Sequence, residues 1–495
     1  MARYNSQQSG YVSSVSLQSG CGAGAEAASK DNRMGHKDAP KDLYHMVSII
    51  FFILGLGTLL PWNFFITAIP YFLTRLADSS SAVEDVGNAT MLEARSTGGN
   101  ATVGPVARDE FNFSNWMTLL SQLPLLLFTL LNSFLYQWIP DRVRIVGSML
   151  GILLLFILTT VLVKLDMTPQ NFFSVTMATI WFINSFCAIL QGSLFGLLGG
   201  MPQKYSSLFL SGQGMAGMLA AIAMLLSMAS GVDAQTSALS YFVIPCIGTF
   251  ISIVCYLILP HLEFAQYHLN KKPEQSYELE TKAELLQKEE KNGDLNEVKK
   301  AAVMVENGTP YGTVKEPEKA SVFVVLKKIW MLALCIVLAF GATIAVFPAI
   351  TASVQSSSTE GKWSVFFIPV CCFLLFNIMD WIGRSATSFF LWPGQDSRLL
   401  PLLVCLRFVF VPLFMLCNVP DHYYLKVVFG QDAWFIIFMV LFAFSNGYFV
   451  SLTMCLAPRK VLSHECEMAG AVMTFFLALG LSTGAGLSFL FKALL

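Results

Sequence analysis

The chain is dominated by a succession of apolar runs, each close to the ~20 residues that an α-helix needs to cross the hydrocarbon core of a bilayer. Water is absent from that core. Backbone N–H and C=O groups must therefore be satisfied within the segment, and such runs fold as helices. Apolar length places about eleven spans, at 47–71, 115–138, 145–165, 173–198, 207–230, 239–260, 325–352, 363–391, 399–418, 432–456 and 466–492. The fold class expected is an all-α polytopic membrane protein. Charged residues make up 13% of the chain, about half the ~25% of soluble proteins. They gather in the N-terminal tail and in the stretches 78–110 and 261–320. No basic patch with interleaved aromatics is present, so the reading has no nucleic-acid partner.

Residues 1–41 are polar and Ser/Gly-rich, and read as a disordered cytosolic tail in which Met34 could serve as a second start. They lack the apolar core of a cleaved signal peptide, so the run beginning near Val47 acts as an uncleaved anchor. Residues 42–260 form a bundle of six helices, 261–321 a mostly disordered cytosolic linker with a short amphipathic helix near Leu279 to Leu286, and 322–495 a bundle of five. Two bundles joined by a polar linker suggest a rocking-bundle, major-facilitator-like architecture, although no repeat is visible in residue identities. Arg142, Arg144, Lys204, Arg398, Arg459 and Lys460 fall on one side of the membrane, which is cytosolic by the positive-inside rule. The sequons at Asn88, Asn100 and Asn112 then lie in the outside loop 72–114, and the sequon at Asn307 lies in the cytosol. The C-terminus is extracellular. Cysteines occur without a C-x-x-C pair, so neither a metal nor a disulfide framework is expected.

Ionisable residues inside a span are costly and usually functional. The outstanding group is Asn377, Asp380 and Arg384, spaced i, i+3, i+7 and hence on one helix face. That face lines a cavity, or the Asp–Arg pair locks two helices together. Asn184 and Gln191 share a face in the same way. The Gln191 amide suits either the edge of a heterocycle or an interhelical hydrogen bond. Trp62 and Asn63 follow Pro61, which frees a carbonyl mid-span; Trp62 could stack on a ring or anchor at the interface. Arg407 sits in an apolar run, and either snorkels or pairs with an acid from a neighbouring helix. Gly212-Gln213-Gly214-Met215-Ala216-Gly217 matches a dinucleotide fingerprint only in letters, because no strand precedes it. It reads as close helix packing, as do Gly192, Gly196 and Gly200, and Gly480 and Gly484.

Over residues 42–495 the chain resembles the equilibrative nucleoside transporter family, and within it most resembles the type 2 branch. The resemblance rests on the run Gly55 to Asn63, the Gln191 segment, Ser211-Gly212-Gln213-Gly214, Asp380-Trp381-Ile382-Gly383-Arg384, Phe444 to Tyr448 and the run from Ala469. It implies facilitative, uncoupled movement of purine and pyrimidine nucleosides, and of nucleobases, by alternating access across the plasma membrane or an internal membrane. No cofactor or coupling ion is implied. By motif position, Gln191 would bind the base and Asp380 and Arg384 the ribose. Trp62, Leu59 and Leu125 would wall the site, with Asn63 and Asn377 beside them. Phe347, Pro348 and Ile66 would form the outer gate. Cys187, Gln122 and Ile66 differ from the inhibitor-sensitive type 1 branch, which has glycine at the first position and methionine at the other two, and this argues against tight binding of thioinosine-type inhibitors.

An enzyme is disfavoured, since all six histidines lie in tails, loops or span ends and Asp380 is the one clear mid-span aspartate. A transporter-like receptor or sensor without flux is the alternative.

Overall fold

The computed structural model describes residues 40–69, 71–72, 75–76, 113–135, 138–165, 167–229, 234–269, 321–358, 362–394, 397–419, 426–462 and 465–495. Eleven helical passes follow in chain order. They are α1 (Met46–Thr67), α2 (Phe113–Leu135), α3 (Asp141–Lys164), α4 (Pro169–Gly199), α5 (Gln203–Ala229), α6 (Ala234–Ile258), α7 (Val322–Val346), α8, α9, α10 (Asp432–Leu456) and α11 (Cys466–Leu494). α8 is composite, running through Lys362–Phe367, a π-helical stretch Ile368–Leu374 containing Pro369, and Leu375–Ala386. α9 joins Leu399–Leu406 to Phe410–Met415 through a 3₁₀ turn at Arg407–Val409. Nine helices among the described residues are long and apolar enough to span a membrane, and two shorter apolar helices, Leu119–Asn132 and Leu399–Met415, coincide with α2 and α9. The protein is thus a helical multi-pass membrane protein.

The passes pack in a pattern that the sequence hides. α1 packs on α5 as α7 packs on α11, and α2 on α4 as α8 on α10. Across the middle, α11 meets α2 and α4, just as α5 meets α8 and α10. These pairings are those of a two-fold repeat in which α7–α11 copy α1–α5. α6, packed on α1 and α3, has no counterpart. The repeat is major-facilitator-like. Shape and pairing carry it, so it needs no shared residue identities.

Two helix crossings are close enough to demand glycine. A β-carbon at Gly55 would collide with the Phe209 carbonyl, and one at Gly212 with that of Phe52, so α1 and α5 meet backbone to backbone. α8 and α10 do the same, with Gly447 against the Asp380 carbonyl and Gly383 against that of Phe444. Gly192, Gly196, Gly480 and Gly484 also sit at close approaches, whereas Gly200 has only the carbonyl of Leu197 nearby, at 3.8 Å, and serves no interface.

The end of the bundle that carries the loop arginines and lysines is closed. Gly199 lies on the backbone of Cys466, and Gly470 on that of Phe195, so α4 and α11 touch there. Arg144 donates to Asn132 Oδ1 at 3.0 Å, pairs with Asp141 and lies 3.7 Å from Glu467 on α11. At the same end the Asp42 carboxylate accepts from the Val47 and Ser48 amides, the Ser48 hydroxyl and the Tyr205 hydroxyl, which caps α1 and ties it to α5. Burial works to raise the Asp42 pKa, but these donors outweigh it and hold the carboxyl below its ordinary value. The tether is therefore in force at neutral pH and is lost as the pH falls through that lowered value.

The first residues of the expected linker are helical. Leu259–His261 form a 3₁₀ turn and Glu263–Leu269 a helix, on which Phe264 packs against Tyr205 with ring centroids 5.3 Å apart. The amphipathic helix expected near Leu279 lies outside the described residues.

One extra methyl group in a crossing this tight costs about 1–3 kcal/mol. Gly212→Ala and Gly447→Ala should each lower the melting temperature of the detergent-purified protein. Gly147→Ala, where no neighbour lies within 4 Å, should leave it unchanged or slightly raised.

Candidate functional site

A cavity of about 140 Å³ lies where the two halves of the repeat face each other, lined from α1, α2, α4, α5, α7, α8, α10 and α11. At the 10–15 Å³ that one water needs, it has room for roughly ten. Leu59, Trp62, Asn63, Ile66, Leu125, Gln191, Phe347, Asn377, Asp380 and Arg384 all line it. Pro348, the remaining residue expected there, does not. It follows Phe347 through a cis peptide bond, beyond the end of α7.

The polar pole of the cavity is built on α8. Asp380 and Arg384 are one turn apart, and Arg384 Nε donates to Asp380 Oδ2 at 2.6 Å with both side chains 7% exposed. Asn446 Nδ2 on α10 donates to the other carboxylate oxygen at 2.7 Å, and the Thr343 hydroxyl on α7 donates to Asn446 Oδ1 at 2.7 Å. On the other side Arg384 Nη1 reaches Gln213 Oε1 at 3.4 Å, and Gln213 Nε2 donates to the Thr58 hydroxyl at 3.1 Å. The pair thus links α5 and α1 of one half to α7 and α10 of the other. It is also incompletely used. A guanidinium carries five N–H donors, and Arg384 has two partners among the described residues. The remaining donors stand at the cavity.

Asn63 and Asn377 resemble each other. Each turns its Nδ2 to a carbonyl of its own helix, Leu59 O at 2.9 Å and Phe373 O at 2.8 Å. Their Oδ1 atoms converge over Gly217, where a β-carbon would displace them. On the α2 and α4 wall, Leu125 and Cys187 stand among the amides of Gln122, Asn184 and Gln191. Gln191 is 5% exposed and makes no hydrogen bond among the described residues, so its amide is not an interhelical tie. Asn184 instead bonds Ile180 O of its own helix at 2.8 Å. At the end away from the arginine-bearing loops, Phe347 stacks on Phe376 at 4.0 Å and meets Phe373 edge-on at 5.8 Å. Trp62 is a cavity residue and not an interfacial anchor.

Arg407 does not snorkel and pairs with no acid among the described residues. It is 2% exposed and held by neutral groups. Nη1 donates to Ala339 O at 2.7 Å, Nη2 to Thr343 Oγ1 at 2.8 Å and Nε to Ser445 Oγ at 3.1 Å. The guanidinium also lies 5.2 Å from the Phe442 ring centroid. Its bond to Thr343 fixes the hydroxyl that orients Asn446, so Arg407 acts on Asp380 through two intermediates. Gln213, Thr343 and Asn446 were not singled out from the sequence. A polar residue inside an apolar span was the available signal for each.

Arg407→Met should strand the acceptors that now hold the guanidinium, at about 1–3 kcal/mol for each left unmet. The melting temperature in detergent should fall further than for Arg407→Lys, which keeps a donor. Equal melting of the two variants would show that the bonds contribute nothing to stability.

Known proteins of similar sequence and fold identify the family. Residues 177–493 match the family described as nucleoside transporter. The chain is 64% identical to equilibrative nucleoside transporter 2 of Rattus norvegicus, over 93% of this chain and 100% of that protein. It is 66% identical to the Homo sapiens protein of the same name over the same shares, and 50% identical to equilibrative nucleoside transporter 1 of Homo sapiens, over 92% and 98%. In fold it is similar to a major facilitator superfamily transporter, FucP, in the outward conformation, with TM-score 0.51 and 9% identity over 90% of this chain and 96% of that one. The chain belongs to the nucleoside transporter family.

Proposed function

We propose that this protein carries purine and pyrimidine nucleosides, and nucleobases as well, down their gradients by alternating access, with no chemical step. The observation that carries the reading is a cavity between the helices whose charged pair keeps unused donors. A pair serving only to lock helices would be fully satisfied. Asp380 and Arg384 bind the ribose hydroxyls, with Asn63 and Asn377 presenting acceptors beside them, and Gln191 binds the base. Leu59, Trp62 and Leu125 form the walls. Phe347, Pro348 and Ile66 act as the outer gate.

Residues 42–260 and 322–495 rock as two bundles about this site, linked by 261–321. The N-terminus is cytosolic, the C-terminus is extracellular, and the protein works at the plasma membrane. Support comes from the closed arginine-bearing end, which is the cytosolic end by the positive-inside rule. Asn88, Asn100 and Asn112 lie outside the described residues and are proposed to carry the glycans. Glycosidase treatment should shift the mobility of the parent but not of the triple Asn→Gln variant. A shift lost only with Asn307→Gln would reverse the topology.

No coupling ion is proposed, because the one acid in the cavity is already matched by a cation one turn away. Proteoliposomes should therefore equilibrate labelled uridine without accumulating it under a pH or sodium gradient. Asp380→Asn and Arg384→Gln should reach the surface yet bind uridine about ten- to a hundredfold more weakly, as losing a charge-assisted hydrogen bond of about 1.5–3 kcal/mol requires. 2′- and 3′-deoxyuridine should lose less in these variants than uridine does. If both variants are absent from the surface and a charge-swapped pair restores everything, the pair is scaffold. Binding without flux would identify a sensor.

A further inference from the structure

Gln122 is a buried polar residue whose chemistry the site described above does not use. It stands on α2, 5% exposed, on the cavity wall. Its Oε1 is buried and meets no donor among the described residues. The other buried oxygens without partners among the described residues, on Tyr71, Ser193, Thr249, Ser451 and Ser482, are hydroxyls that do not line the cavity. A carboxamide brings a larger unmet demand, and an unpaired one at a cavity wall marks where a ligand or an ordered water binds.

Its position relative to Gln191 narrows the ligand. Leu125, one turn along α2 from Gln122, clusters with Ala188, one turn before Gln191 on α4. α2 and α4 cross the bundle in the same direction, because α3 returns between them. The two amides therefore stand on opposite sides of the Leu125–Ala188 level, about six residues apart, or roughly 9 Å along the helix axis. That offset is one of backbone levels, and both side chains line the one cavity, so a single heterocycle between α2 and α4 lies within reach of each amide.

We infer that Gln122 is a second base-recognising residue. Its amide hydrogen-bonds one side of the nucleobase while that of Gln191 holds the other, so one heterocycle is clamped between α2 and α4. The inference rests on the reading of this cavity as a nucleoside site and deepens it. An amide offers a donor and an acceptor side by side, as the polar edge of a base does. The clamp touches only the base, so a free nucleobase keeps both contacts.

The test is initial-rate uptake by proteoliposomes holding the full chain, for uridine and for ribosides each lacking one base group. Suitable probes are 2-thiouridine, without O2, and 4-thiouridine, without O4, each with sulfur, a poor acceptor, in its place, and 2′-deoxyuridine as the ribose control. The parent should discriminate against the base analogues by about tenfold in KM, as expected when a buried partner goes unmet. Gln122→Met should abolish that discrimination for one analogue and Gln191→Met for the other, while both variants keep the 2′-deoxy penalty. If Gln122→Met shifts KM by one factor for every substrate, or leaves all values unchanged, Gln122 is only wall and the inference fails. It fails equally if Gln191→Met alone abolishes discrimination against both analogues. Absence of uridine flux and binding in the parent would instead refute the nucleoside reading itself. Should the methionine variant not be recovered, Gln122→Leu carries the same comparison through ligand-induced shifts in melting temperature.

Discussion

A carboxylate buried between helices has to be answered by donors, and the answer to Asp380 organises the middle of this protein. One oxygen takes Arg384 and the other takes Asn446. Behind them stand Gln213 and Thr58 on one side, and Thr343 and Arg407 on the other. One negative charge thereby sets the orientation of side chains on six helices. Arg407 contributes a second positive charge with no acid in contact among the described residues, stabilised by carbonyls, hydroxyls and a ring face. The local dielectric is low, so each of these bonds is electrostatically stronger than it would be in water, and a missing member would be correspondingly costly.

The two-fold repeat gives this network its setting. α5 and α11 are the equivalent helices that each half extends to the other, and the cavity lies between them. In this conformation the halves touch at the arginine-bearing end, through α4 and α11, and the stacked Phe347–Phe376 pair lies toward the opposite end. α1 moves with α5, and α8 with α10, because their backbones are in direct contact. Between the halves, backbones meet at α4 and α11, and side chains meet at Ser211 with Ser385 and Trp381.

Much of this was legible in the sequence, for physical reasons. A span in hydrocarbon is announced by its length, and a charge inside it cannot be accidental. Asp380, Arg384 and Gln191 could thus be picked out, and helical spacing put Asp380 and Arg384 on one face, but the cavity they share with Gln191 is a fact of the packing. Arg407 shows the limit. Its partners are backbone carbonyls and hydroxyls on α7 and α10, and nothing in the residues around it indicates that a guanidinium could be satisfied without an acid. The repeat was hidden because helix packing constrains size and shape, so unlike residues fill equivalent places. Gly200 was misjudged because periodic spacing alone does not say whether another helix is present to use it.

The contact of Gly447 with the Asp380 carbonyl has a consequence for how such a protein can be altered. The residue that holds the charge of the site also forms a bearing surface between two helices, so a change there alters binding and mechanics together. The α2 and α4 wall is under no such double constraint. The close approach of α2 and α4 falls to Gly192, which meets Asn132, and not to Gln122, Leu125, Cys187 or Gln191, and Gln122 and Gln191 belong to no hydrogen-bond network among the described residues. Substrate range can therefore drift, or be engineered, on that wall while the charged pole stays fixed. Related carriers that differ in which bases they accept should differ there first.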